Sequence, residues 1–106
     1  MVTRGDIWLV SLDPTVGSEI RKARPCVVVS PPEMHDYLRA VLVAPMTTGS
    51  RPAGYRIGVT HDGRKGLILL DQLRAVDKIR LIKRLGKVSP KTIVSTLSKL
   101  REVFAV

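Results

Sequence analysis

Cysteine is almost missing from this chain. Cys26 stands alone among 106 residues, which excludes an internal disulfide. Set inside an apolar run, it reads as a small buried hydrophobe. Aromatic residues make up only 4%, which excludes a broad base-stacking surface. His, Cys and carboxylate residues nowhere take metal-ligand spacing, which argues against a zinc or two-metal centre and predicts no cofactor. There is no glycine-rich phosphate loop, no apolar run long enough to span a membrane, and no signal or transit pattern. A cytoplasmic protein is the expectation. Repeats, low-complexity tracts and dividing linkers are missing too, so 1–106 reads as one domain with one core. Acidic residues are the last shortage. Nine Asp and Glu face eighteen Lys and Arg, giving +9 at pH 7. That excess implies a polyanionic partner. A membrane surface fits poorly, because the one good amphipathic helix is not basic along a whole face.

With 44% hydrophobic and 25% charged residues the chain is globular. Gly5 to Leu12 alternates as a first strand, with Ile7 and Leu9 on one face and Trp8, Val10 and Leu12 on the other. Asp13-Pro14-Thr15 makes a turn. Val27-Val28-Val29 is the β-branched centre of a second strand, which Ser30-Pro31-Pro32 ends. Leu38 to Met46 reads as a third strand delivering the loop Thr47-Thr48-Gly49-Ser50, and Tyr55 to Thr60 as a fourth. Gly66 to Val76 forms a fifth, and a turn around Lys78 leads to a strand ending near Val88. Ser89 caps a terminal helix with Pro90 in its first turn and Ile93, Leu97, Leu100 and Phe104 at helical spacing. The expected fold is mainly β, a small barrel of short antiparallel strands with a C-terminal helix.

The chemistry concentrates in Gly17 to Ser30, G-S-E-I-R-K-A-R-P-C-V-V-V-S. Pro25 biases Arg24 towards an extended backbone and opens the strand without needing a ladder hydrogen bond. An arginine is thereby fixed at a strand mouth, where its planar fork suits phosphate oxygens. The alternative is a plain ion pair between Arg24 and Glu19.

Four motifs in series, G-D-I-W-L-V-S-L-D-P-T-x-G-S-E, R-P-C-V-V-V-S, A-P-M-T-T and L-D-Q-L-R-A-V-D, span nearly the whole chain. In that order they resemble the MazF/PemK family of toxins. The resemblance implies an SH3-like barrel of the CcdB/PemK type, a homodimer, and a metal-independent endoribonuclease paired with a small acidic antitoxin. It carries the family's arginine onto Arg24, its threonine onto Thr47, its loop glutamate onto Glu19 and the aspartate of its D-Q onto Asp71, with Gln72 beside it. Some members carry histidine where this chain has Ser18, and arginine where it has Leu69, which suggests a position nearer the MazF branch.

RNA cleaves itself if its 2′-hydroxyl loses a proton and attacks the adjacent phosphorus. Arg24 suits the charge that builds on the phosphorus oxygens, and Thr47 can donate to the same phosphate. Arginine hardly ever deprotonates, so Glu19 is the better base. For Thr47 the alternative is a satisfied loop hydroxyl, and for Asp71 an anchor of the barrel. An RNA-binding groove is expected from Arg21, Lys22, Thr48, Arg51 and Arg56, from Asp71 and Gln72, and from Arg74, Lys78 and Arg80. The same basic residues, with Lys83, Arg84 and Lys87, also read as a solvated strand edge. His35 and His61 read as exposed turn residues, and Trp8 as core. Two other functions fit the same barrel: a non-enzymatic gyrase poison resembling CcdB, and a basic RNA-binding barrel without catalysis.

Overall fold

A computed structural model of the chain describes residues 1–12, 23–49 and 51–106. The elements follow in the order β1 (Asp6–Ser11), β2 (Ala23–Val28), α1 (Pro32–Tyr37), β3 (Ala40–Thr47), β4 (Arg56–His61), β5 (Arg64–Leu69), β6 (Arg74–Asp77), β7 (Leu81–Lys87) and α2 (Pro90–Val103). The seven strands form one antiparallel sheet in the order β4-β5-β3-β2-β1-β7, with β6 pairing beside β3. The sheet curls into a half-barrel, and α2 packs on it through Ile93 and Leu100. The expected barrel with a terminal helix is the observed fold.

The triple valine shows why the second strand is apolar without interruption. Side chains alternate across a strand, so Val27 and Val29 enter a cluster with Ile7, Ala44, Met46 and Ile68. Val28 points the other way, into a cluster with Val10, Cys26, Val41 and Val43. From Cys26 onward both faces of the strand are buried, and burial of each of these valine side chains stabilises the fold by roughly 1.5 kcal/mol or more. Trp8 lies against the second cluster and donates from Nε1 to Asp6 Oδ2 at 3.4 Å, which supports its core reading.

Prolines mark the irregular places. Pro25 is the third residue of β2, opposite Leu9, so the strand begins two residues earlier than expected. Pro45 lies where β3 changes partner: β6 pairs with Ala40 to Val43 and β5 with Met46 and Thr47. A residue with no N–H to donate suits that corner. Pro31 and Pro32 end the second strand and also start α1, with Pro31 at its N-cap. This six-residue helix is too short to leave a periodic signature.

The expected fifth strand is two strands. A single 3₁₀ turn, Leu70–Gln72, breaks it between β5 and β6. The turn around Lys78 and the strand after it form as expected, as Lys78–Arg80 and β7. Ser89 caps α2 by accepting from the Thr92 N–H at 3.1 Å, a cap worth about 1 kcal/mol. Phe104 departs from expectation, because the helix ends before it and leaves it 71% exposed.

Candidate active site

Three elements converge on a cleft of ≈ 810 Å³. The start of β2 supplies Ala23, Arg24 and Pro25, and the end of β3 supplies Met46, Thr47 and Thr48. The β4–β5 hairpin lines it with Val59, His61, Asp62, Arg64 and Gly66.

The register brings Arg24 and Thr47 towards one end of the cleft. β2 and β3 pair as Val28↔Val43, Val27↔Ala44 and Cys26↔Pro45, and the ladder stops there, two residues short of Arg24 and Thr47. Both residues line the cleft beyond its end. Arg24 is exposed, and among the described residues no carboxylate pairs with it. Thr47 Oγ1 accepts the Gly49 N–H at 3.2 Å. That bond occupies a lone pair and leaves the hydroxyl proton to be donated into the cleft. Gly66 brings the hairpin hard against this residue: a Cβ built there would lie 2.6 Å from the Thr47 carbonyl oxygen.

Cys26, next along the strand face from Arg24, is fully buried. Burial pushes its thiol up to about 12, against the smaller opposing pull of the Arg74 and Arg24 guanidinium groups. It is an inert packing residue. Arg74 therefore stands near the Arg24 strand, and its Nη1 donates to Leu12 O at 3.4 Å. Arg80 donates to Ser11 O at the same distance.

The other expected residues are dispersed. Asp71 lies in the 3₁₀ turn and is gripped by Arg56, Nε to Oδ1 at 3.2 Å and Nη2 to Oδ2 at 3.1 Å. The Arg56 hydrogen bonds hold this carboxyl below the usual carboxylate range. Arg56 also donates to Arg51 O at 3.1 Å, tying the segment after Thr48 to the turn. Arg56 pairs across β4–β5 with Leu69. A guanidinium from the neighbouring strand thus reaches Asp71, although position 69 carries none. Gln72 is exposed beside Asp71. Lys78 donates to His35 O at the opposite end of β3 from Thr47, roughly 20 Å along the strand. Glu19, Arg21 and Lys22, with Ser18 and the turn at Asp13-Pro14-Thr15, lie outside the described residues.

Both histidine expectations are corrected. His35 is buried, because Nδ1 must donate to the Val2 carbonyl at 3.1 Å and Nε2 meets Ser30 Oγ at 2.6 Å. His61 is in β4, with only 20% of its side chain exposed, on the hairpin wall of the cleft. That wall was missed, although Asp62-Gly63 is a strong hairpin signal. Both residues have positive φ, 51° and 73°, as a two-residue hairpin turn of type I′ needs.

Residues 3–104 match the model of a family described as PemK-like, MazF-like toxin of type II toxin–antitoxin system. The chain is 41% identical over 98 residues to endoribonuclease PemK of Escherichia coli, covering 87% of this chain and 73% of that protein. It is 33% identical over 100 residues to endoribonuclease MazF of Staphylococcus epidermidis, covering 89% and 83%. These identities do not favour a position nearer the MazF branch. Among solved structures it resembles a mycobacterial endoribonuclease in complex with its cognate antitoxin. The TM-score is 0.82 and identity 20%, with 100% of this chain and 97% of that one covered.

Proposed function

Because the chain belongs to the PemK-like, MazF-like toxins of type II toxin–antitoxin systems, we propose that it is a sequence-selective endoribonuclease of single-stranded RNA. The observation that supports this reading is that Arg24 and Thr47 line one open cleft. The cleft takes a phosphodiester between those residues and the hairpin. The 2′-hydroxyl loses its proton, attacks the phosphorus and displaces the 5′-oxygen, leaving a 2′,3′-cyclic phosphate and a 5′-hydroxyl. Arg24 forks onto the non-bridging oxygens as their charge grows, a donor worth roughly 3 kcal/mol in such sites. Thr47 donates its free hydroxyl proton to the same phosphate, and Glu19 takes the 2′ proton. Thr48 lies beside the scissile phosphate, while Arg21, Lys22, Arg51 and Arg74 attract the flanking backbone.

Cutting messenger RNA in this way blocks translation and growth, so the cell needs a neutralising partner. The mycobacterial structural neighbour was solved with its cognate antitoxin. An excess of +9 on this chain suits an acidic one whose disordered tail fills the cleft and excludes RNA. The homodimer and the cytoplasmic setting implied by the family are part of the same reading. Among the described residues no helix is long and apolar enough to cross a membrane.

The test is a purified preparation incubated with a long transcript in excess EDTA. Fragments should accumulate whose 5′ ends accept phosphate from a kinase without prior phosphatase treatment. An intact transcript, or loss of cleavage in EDTA that magnesium or zinc restores, would overturn the reading.

A further inference from the structure

The two histidines of this chain have opposite environments. His35 is buried, with Nδ1 committed to the Val2 carbonyl and Nε2 to Ser30 Oγ, whose own lone pair takes the Leu42 N–H at 3.0 Å. It has no path to a ligand. His61 lines the cleft, and among the described residues the carboxylate that approaches it is that of Asp62, with Oδ2 3.6 Å from Nε2, beyond hydrogen-bond length. Among the described residues, the charged side chains that share the cleft with it are Asp62 and Arg64 on its own hairpin and Arg24 from β2. On the β7 side it meets Gly86, where a Cβ would lie 3.6 Å from His61 Cε1, flanked by Leu85 and Lys87. Resting on the endoribonuclease reading, we propose that His61 is a catalytic general acid that protonates the departing 5′-oxygen.

Displacement at phosphorus runs with the attacking and leaving oxygens roughly in line. Groups that serve the two oxygens therefore stand on opposite sides of the phosphate. Arg24 and Thr47 hold the non-bridging oxygens, and His61 lines the same cleft from the β4–β5 hairpin, which leaves it to serve the departing oxygen. Of the remaining described side chains in the cleft, the ionised carboxylate of Asp62 can only accept, and the guanidinium groups of Arg24 and Arg64 hold their protons too tightly to give them up. The hydroxyls of Thr47 and Thr48 do so no more readily. Imidazole is the side chain that both holds and releases a proton near neutral pH. The step balances: the O2′–P bond forms as the P–O5′ bond breaks, and the 2′ proton goes to the base. The imidazolium proton of His61 goes to O5′, and water re-protonates the ring.

The test compares two oligonucleotides containing a site first mapped on a transcript. One carries the natural 5′-oxygen and the other a bridging 5′-sulfur, a leaving group that needs no acid. On the oxygen substrate His61→Gln should lower kcat by roughly 10²- to 10⁴-fold, the range for one general acid. On the sulfur substrate it should change kcat less than threefold, with KM and Tm near the wild-type values. In the wild type, kcat on oxygen should fall at alkaline pH, and this limb should be missing on sulfur. That second comparison needs no variant and holds even if His61→Gln folds poorly. Equal losses on both substrates, an unchanged rate on oxygen, or the same alkaline limb on both would overturn the proposal. A wild-type protein that cuts no transcript would instead refute the endoribonuclease reading beneath it.

Discussion

Replacing Gly66 by alanine tests whether the hairpin positions the threonine wall of the cleft. Gly66 has no positive φ, so alanine meets no conformational strain there. In an ordinary strand the change would stabilise the fold by about 0.4–1 kcal/mol, by restricting the unfolded chain. Here the new Cβ would sit 2.6 Å from Thr47 O, 3.3 Å from Thr47 C and 3.6 Å from Thr48 Cγ2. Both near atoms are backbone, in the stretch where Thr47 pairs with Leu67, and cannot swing aside as a side chain would. Reaching an ordinary contact near 3.4 Å requires the strands to part by about 0.8 Å, and overpacking of this kind costs roughly 1–3 kcal/mol. The displacement carries the Thr47 hydroxyl with it, and a misplacement approaching 1 Å costs up to about 100-fold in rate. Gly58, on the same hairpin, is the control, since nothing lies within 4 Å of its Cβ position. Thermal unfolding and single-turnover cleavage of a mapped oligonucleotide read both effects. Gly66→Ala should lower Tm and slow the chemical step, while Gly58→Ala should leave both near wild type. Equal behaviour of the two variants, or a Gly66→Ala protein with wild-type Tm and rate, would refute the reasoning.

Arg24→Ala should slow cleavage by roughly 100-fold or more, and Arg24→Lys should recover little, because an ammonium lacks the planar fork. RNA affinity, measured by anisotropy, should fall far less than the rate; a larger loss of affinity than of rate would make Arg24 a binding residue. Stability should decline on acidification below about pH 4, because the folded state holds two carboxyls below their unfolded value. Asp71 is lowered first by the Arg56 hydrogen bonds, and Asp77 first by the Ile79 N–H and then by Arg39. Their contribution is present above the unfolded value near 4 and is lost as pH falls through the folded one. Both are solvent-screened, so the slope should be shallow. Urea titrations of wild type and Asp77→Asn would show it, and a wild type that grows more stable in acid would contradict the assignment.

Local chemistry was readable along the chain wherever a residue acts through its immediate neighbours. Alternation placed β1, the β-branched run placed β2, and Ser89-Pro90 with apolar residues at helical spacing placed α2, because each signal is set within one or two turns of backbone. Four ordered motifs carried the family, and through it Arg24 and Thr47. Other features depended on contacts between residues remote in the chain. That Arg24 and Thr47 line one cleft depends on β2 and β3 running side by side, in a ladder that ends at Cys26↔Pro45. The partner of Asp71 is Arg56, brought to it by a hairpin pairing 15 residues apart. The contrast between the histidines has the same origin. His35 is buried because Val2 and Ser30 close over it, and His61 faces the cleft because the Asp62-Gly63 turn folds β4 along β5. Sequence determined which side chains were available and how each short segment bends. Only the paired and curled sheet decided which of them meet, since hydrogen-bond register and curl are properties of paired strands and of no strand alone.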